Sequence, residues 1–236
     1  MEYMHRVIGG VTSVFLIILS YQRFRSYSGY VKLVPFMIVL LLLIQIVLGG
    51  IVVLLEIPVD LTTFHFANAI IIFSLALYIA FYDGGERKPH FSVSGYKGVF
   101  FGLGFLIFIQ AVLGAYVRHS GSGIACPDFP KCLGYWIPPN LSGIILNHFL
   151  HRAMAYLIAV TVLILLVSSY IVNGLEKFQR ALLIIFGLIL VQIALGAGVV
   201  QTKLYFAVTA LHLSVALLIL TLSLYTWFLG MERSRI

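Results

Sequence analysis

Seven runs of predominantly apolar residues, at 3–21, 33–55, 61–82, 96–118, 147–170, 178–200 and 205–229, dominate this chain. Each approaches or exceeds the roughly 20 residues that an α-helix needs to cross the hydrocarbon core of a bilayer. A spanning segment must satisfy its own backbone hydrogen bonds, so helix is the expected state of all seven. Together they consume most of the 236 residues and leave little material for a separate soluble domain. Hydrophobic residues make up 61% and charged residues 10%, against about 45–50% and 25% in soluble domains. A water-soluble globule is excluded, and so is a disordered chain. The expectation is an all-α integral membrane protein.

Charge placement orients the bundle. Arg23, Arg25, Lys32, Arg87, Lys88, Lys97, Lys177, Arg180, Arg233 and Arg235 fall on one side of the seven spans, and Arg6, Arg118, Lys131, Arg152 and Lys203 on the other. The richer side reads as cytoplasmic, which puts the N-terminus outside and the C-terminus inside. The net charge of +7 is thus mostly a topology signal, and no soluble basic surface supports nucleic-acid binding. Residues 1–20 lack a basic segment ahead of the apolar run and a small-residue cleavage site after it, so the first span is expected to be retained.

The chain also repeats itself. Glu2-Tyr3-Met4-His5-Arg6 matches His148-Phe149-Leu150-His151-Arg152 at a shift of 146. Gln45 to Gly50 matches Gln192 to Ala197, and Thr63-Phe64-His65 matches Ala210-Leu211-His212, both at 147. Four spans separate the first from the fifth, so the expected architecture is two tandem, pseudo-symmetric four-helix bundles with the leading helix of the first absent. Residues 1–95 form the first half-bundle, with three spans. Residues 96–236 form the second, with four spans and an outer loop at 119–146. A Gln-x-x-Leu-Gly element occurs at Gln45, Gln110 and Gln192. Glutamine in a span bonds across helices and glycine permits close approach, so these read as packing elements.

Four of the seven histidines, His5, His65, His151 and His212, occupy repeat-matched positions near the outer surface. Ionisable groups within spans are costly and mark function by default. Two imidazoles on different helices at a common depth are what an iron porphyrin needs for its axial positions. Zinc would want further ligands in each half, and no matched Cys, Asp or His supplies them. Glu2 stands three residues before His5, on the same helical face, whereas the matched position before His151 is His148. That asymmetry assigns chemistry to the first pocket, with Glu2 stabilising charge or moving a proton; the competing reading is a favourable charge at a helix N-terminus. Arg6, Arg118, Arg152 and Lys203 at the outer rim suit either heme propionates or interfacial anchoring. His119 and His90 read as solvated.

Cys126 and Cys132 both lie in the outer loop, among Pro127, Pro130 and Gly134. On the oxidising side of a membrane they read as a disulfide, serving either as a loop staple or as a redox-active pair.

In combination, Glu2-Tyr3-Met4-His5-Arg6, His65, the segment from Gly114 to Cys132, His148-x-x-His151-Arg152 and His212 resemble the heme A synthase family over essentially the whole chain. The resemblance implies a plasma-membrane oxidoreductase that converts the ring methyl of heme O to the formyl group of heme A, by successive oxidation with water-derived oxygen and dehydration of a gem-diol. It implies that His151 and His212 hold a heme b cofactor, that His5 and His65 face the substrate heme, and that Glu2 is the adjacent acid. It further implies heme O synthase as substrate donor and an electron acceptor such as a quinone. Family members commonly have eight spans and a further cysteine pair in the first half. This chain has neither, which suggests that membrane lipids or a neighbouring protomer of a homo-oligomer cover the first pocket. Two rival functions share some of these features: a bis-histidine di-heme cytochrome that only carries electrons, and a membrane thiol-disulfide oxidoreductase.

Overall fold

The computed structural model describes residues 2–82, 95–172 and 175–232. Arg87, Lys88, His90, Arg233 and Arg235 lie outside the described residues. Within them are seven long helices: α1 (Glu2–Ser26), α2 (Leu33–Leu54), α3 (Val59–Phe81), α4 (Gly95–His119), α5 (Gly143–Ile171), α6 (Gln179–Gln201) and α7 (Phe206–Glu232). All seven are long and apolar enough to cross a membrane, so the protein is a multi-pass, all-α membrane protein. Many large apolar side chains on these helices are exposed, including Val14 and Phe15 on α1 and Leu163 and Ile164 on α5. In a bilayer they meet lipid.

The chain divides into two compact units, residues 1–90 and 91–236. In the first, α2 packs on both α1 and α3. The C-terminal ends of α1 and α3 are tied by polar contacts. Arg23 Nε donates to the Ile79 carbonyl at 2.8 Å, and the Tyr27 hydroxyl donates to the Tyr82 carbonyl at 2.5 Å. These bonds explain why α1 continues to Ser26, beyond the apolar run ending at 21. In the second unit the helices form a closed ring in which α4 meets α5 and α7, and α6 meets the same two. Buried Leu103, Val162, Leu182, Ile185 and Leu220 fill it.

The turns α2–α3 and α6–α7 repeat the same backbone at a shift of 147. Glu56 and Ile57 hold φ of 57° and 63°, and Lys203 and Leu204 hold 50° and 67°. The Ile57 amide donates to the Val52 carbonyl and the Leu204 amide to the Val199 carbonyl, both at 2.8 Å. These bonds satisfy carbonyls that each helix end would otherwise orphan. Left-handed backbone is unfavourable for non-glycine residues, most of all for the β-branched Ile57. Two such residues in succession, in both turns, mark a geometry imposed by the packing of the hairpins.

Candidate functional site

Each repeat-matched histidine of α3, α5 and α7 rests on a glycine of the preceding helix. A β-carbon on Gly49 would lie 3.1 Å from His65 Cε1; on Gly114, 2.9 Å from His151 Cε1; on Gly196, 3.1 Å from His212 Cε1. No other side chain leaves room for an imidazole so close to a helix backbone. The glutamine four residues before each glycine shares its helical face and contacts the same histidine. Gln45 Nε2 bonds His65 Nε2 at 3.1 Å, and Gln192 Nε2 bonds His212 Nε2 at 3.3 Å. Gln110 Nε2 donates instead to the His151 carbonyl at 2.9 Å. The Gln-x-x-Leu-Gly element is therefore a packing element of a particular kind, a seat for one histidine. Its signal in the sequence was the matched spacing, since the span from Gln45 to His65 equals that from Gln192 to His212.

His5 lies within electrostatic reach of His65, and His151 within reach of His212. Nδ1 of His65, His151 and His212 is buried and has no hydrogen-bond partner among the described residues. His5 and Arg6 are exposed on the first turns of α1. Glu2 belongs to the first turn of the same helix; its side chain lies outside the described features. Arg118, His119 and Lys203 are exposed at helix ends.

Arg152 and His148 organise the outer loop of the second unit. Arg152 donates to the carbonyls of Cys126 at 2.6 Å, Asp128 at 2.6 Å and Lys131 at 2.7 Å. Its Nε donates to His148 Nε2 at 3.1 Å. Four of the five guanidinium N–H groups are thus engaged. His148 Nδ1 faces the Ser122 carbonyl at 2.9 Å and the Cys126 amide at 3.3 Å. Asp128 closes the far side of the loop, accepting from the Leu133 amide at 2.6 Å and the Gly134 amide at 2.8 Å. The Gly134 amide above all, together with the Leu133 amide, holds the Asp128 carboxyl below its usual range. Cys126 and Cys132 form a disulfide and are 0% and 2% exposed. Thiol–disulfide exchange requires access to a sulfur, so this burial favours the staple over the redox pair.

With this geometry in place, the comparison with known proteins decides the family. Residues 1–224 match the model of the cytochrome oxidase assembly proteins. The chain belongs to that family. The four repeat-matched histidines and the loop at 119–146 fall within the family match. Family relatives include a heme A synthase of Halalkalibacterium halodurans, 30% identical over 99% of this chain and 80% of its own length. The heme A synthase of Alkalihalophilus pseudofirmus is 30% identical over 95% of this chain and 78% of its own. That of Symbiobacterium thermophilum is 31% identical over 83% and 67% respectively.

Proposed function

We propose that this protein is a heme A synthase, an oxidoreductase that converts the ring methyl of heme O to the formyl group of heme A. The observation that supports this most is the recurrence, in both units of a chain from this family, of a histidine seated on Gln-x-x-Leu-Gly with a buried, unpartnered Nδ1 among the described residues. A buried imidazole nitrogen without a partner is expensive unless something else engages it. Heme iron, which takes a neutral imidazole on each axial side, fits buried rings of this kind.

In this reading His151 and His212 hold a heme b in the second unit, and His5 and His65 face the substrate in the first. A bis-histidine heme, when bound, supplies one-electron redox chemistry. The seats hold each ring against its neighbouring helix and so fix its orientation. Glu2, on the His5 face of α1, holds or moves a proton beside the reacting methyl. Arg6, Arg118 and Lys203 keep exposed cationic ends at the outer rim, suited to propionates. Arg152 has only one N–H to spare for that role, and its main work is to hold the disulfide loop over the second unit. Heme O synthase as donor and a membrane quinone as electron acceptor complete the proposal.

The test is to express the full chain in cells supplied with heme O, then to extract the hemes for chromatography and mass analysis. The hydroxymethyl or formyl product supports the synthase. Bound heme b alone, with heme O demonstrably present, overturns it in favour of an electron carrier.

A further inference from the structure

The two histidine seats at the hairpins share their Gln, Gly and His but differ one turn beyond the histidine. In the first unit Asn68, one turn beyond His65, is buried. Its Nδ2 donates to the Leu41 carbonyl at 3.0 Å and to Gln45 Oε1 at 2.6 Å. A backbone carbonyl only accepts, so the amide group of Asn68 must face Leu41, and its second hydrogen meets the oxygen of Gln45. That fixes the Gln45 amide: its oxygen is taken, and its NH2 faces His65 Nε2. His65 Nε2 must then accept, and neutral His65 carries its proton on Nδ1.

The second unit has no such lock. The position matched to Asn68 is Val215, and Gln192 Oε1 is buried without a partner among the described residues. The Gln192 amide can turn its oxygen to His212 Nε2, which then keeps its proton and leaves Nδ1 free.

We infer that Asn68 is a positioning residue that makes His65 a reversible heme ligand, whereas His212, lacking it, is a permanent one. In the first seat neither ring nitrogen is freely available. Ligation through Nε2 displaces the Gln45 N–H, which stays aimed at the ring because Asn68 holds it there. Ligation through Nδ1 would set Nε2–H against Gln45 NH2, donor against donor. A group whose hydrogen bond must be broken binds more weakly than one already free. This inference rests on the heme-binding reading above, and it explains how one unit can release its heme as product while the other retains a cofactor.

The experiment titrates the purified full-length protein with hemin and reads the low-spin bis-imidazole absorption and the heme retained per chain after gel filtration. The wild type is expected to keep one heme tightly and the second weakly. Asn68→Val, which installs the residue found at the matched position, is expected to tighten the weak site about tenfold, the scale of one broken hydrogen bond with its unpaired donor. Val215→Asn is expected to loosen the retained heme by a similar factor. A merely structural role for Asn68 predicts weaker binding in Asn68→Val, never tighter. Unchanged or weakened second-heme binding in Asn68→Val, with the retained heme spectrum intact, overturns the inference. A wild type that binds no hemin at all overturns the heme reading itself, so the two failures are distinct.

Discussion

The seat under His151 supplies the sharpest mutational expectation. In Gly114→Ala the added carbon would sit 2.9 Å from His151 Cε1 and 3.6 Å from both ring nitrogens. Carbon atoms rest at about 3.5–4.0 Å, so the ring must retreat by roughly 0.6–1.1 Å. A ligand constellation tolerates displacements of about 0.5 Å, and disturbing the support of a metal-ligating histidine typically costs 10–100-fold in affinity, or about 1.4–2.7 kcal/mol. Helix propensity acts in the opposite direction, because Ala is favoured over Gly in a helix interior by about 1 kcal/mol. The expected outcome is a protein that unfolds no sooner yet loses heme b, measured as the reduced-minus-oxidised heme b signal per chain beside a thermal melt. Gly102→Ala and Gly187→Ala serve as controls, since an added carbon at either meets nothing within 4 Å. If Gly114→Ala keeps full heme b, or if the controls lose it equally, the seat argument is wrong.

Three further outcomes follow from the same structure. Glu2→Ala should keep the heme b spectrum and lose product; undiminished formation of heme A by this variant would remove Glu2 from the mechanism. Replacing both Cys126 and Cys132 by Ser should cost about 2–3 kcal/mol of loop stability, seen as faster proteolysis of residues 119–146, with product still formed by the protein that stays folded. A folded double variant that loses product would instead make the pair a redox relay. The third outcome concerns acid. Asp128 has a depressed pKa in the folded loop, so its stabilising contribution is present above the unfolded carboxylate value near 3.8 and is lost as pH falls through the lower folded value. Hydrogen exchange at the Leu133 and Gly134 amides should therefore accelerate in strong acid, and Asp128→Asn should remove that pH dependence.

The spans were legible because a bilayer demands apolar length, and seven segments meet that demand in composition alone. Their ends were not. The extension of α1 depends on Arg23 reaching the Ile79 carbonyl, a contact 56 positions away that no local pattern announces. The start of α5 at Gly143 comes four residues before the run expected to begin at 147, because the apolar Ile144, Ile145 and Leu146 join the helix ahead of the polar Asn147 and His148. The repeat exposed the four histidines because duplicated features stand out against a varied background. For the same reason it hid Asn68, whose importance lies in having no counterpart. Arg152 was open to two readings because a cation at a membrane rim suits many partners, and only the folded loop shows three carbonyls converging on it.

The hairpin turns bear on how such a site is assembled. His65 lies only 20 residues from Gln45, and His212 only 20 from Gln192, each joined to its seat through one tight turn. A helical pair of that length can enter the bilayer as a single unit, so each ligand can meet its glutamine and glycine within its own hairpin. The contact of His151 with Gln110 spans 41 residues and the whole outer loop, and has to wait for that loop to close. The α3 histidine is thus oriented as soon as its own hairpin forms, whereas in the second unit His151 is made before His212 and its seat closes across the longer connection. The second pocket is complete only when α6 and α7, made after α4 and α5, close the ring of four helices.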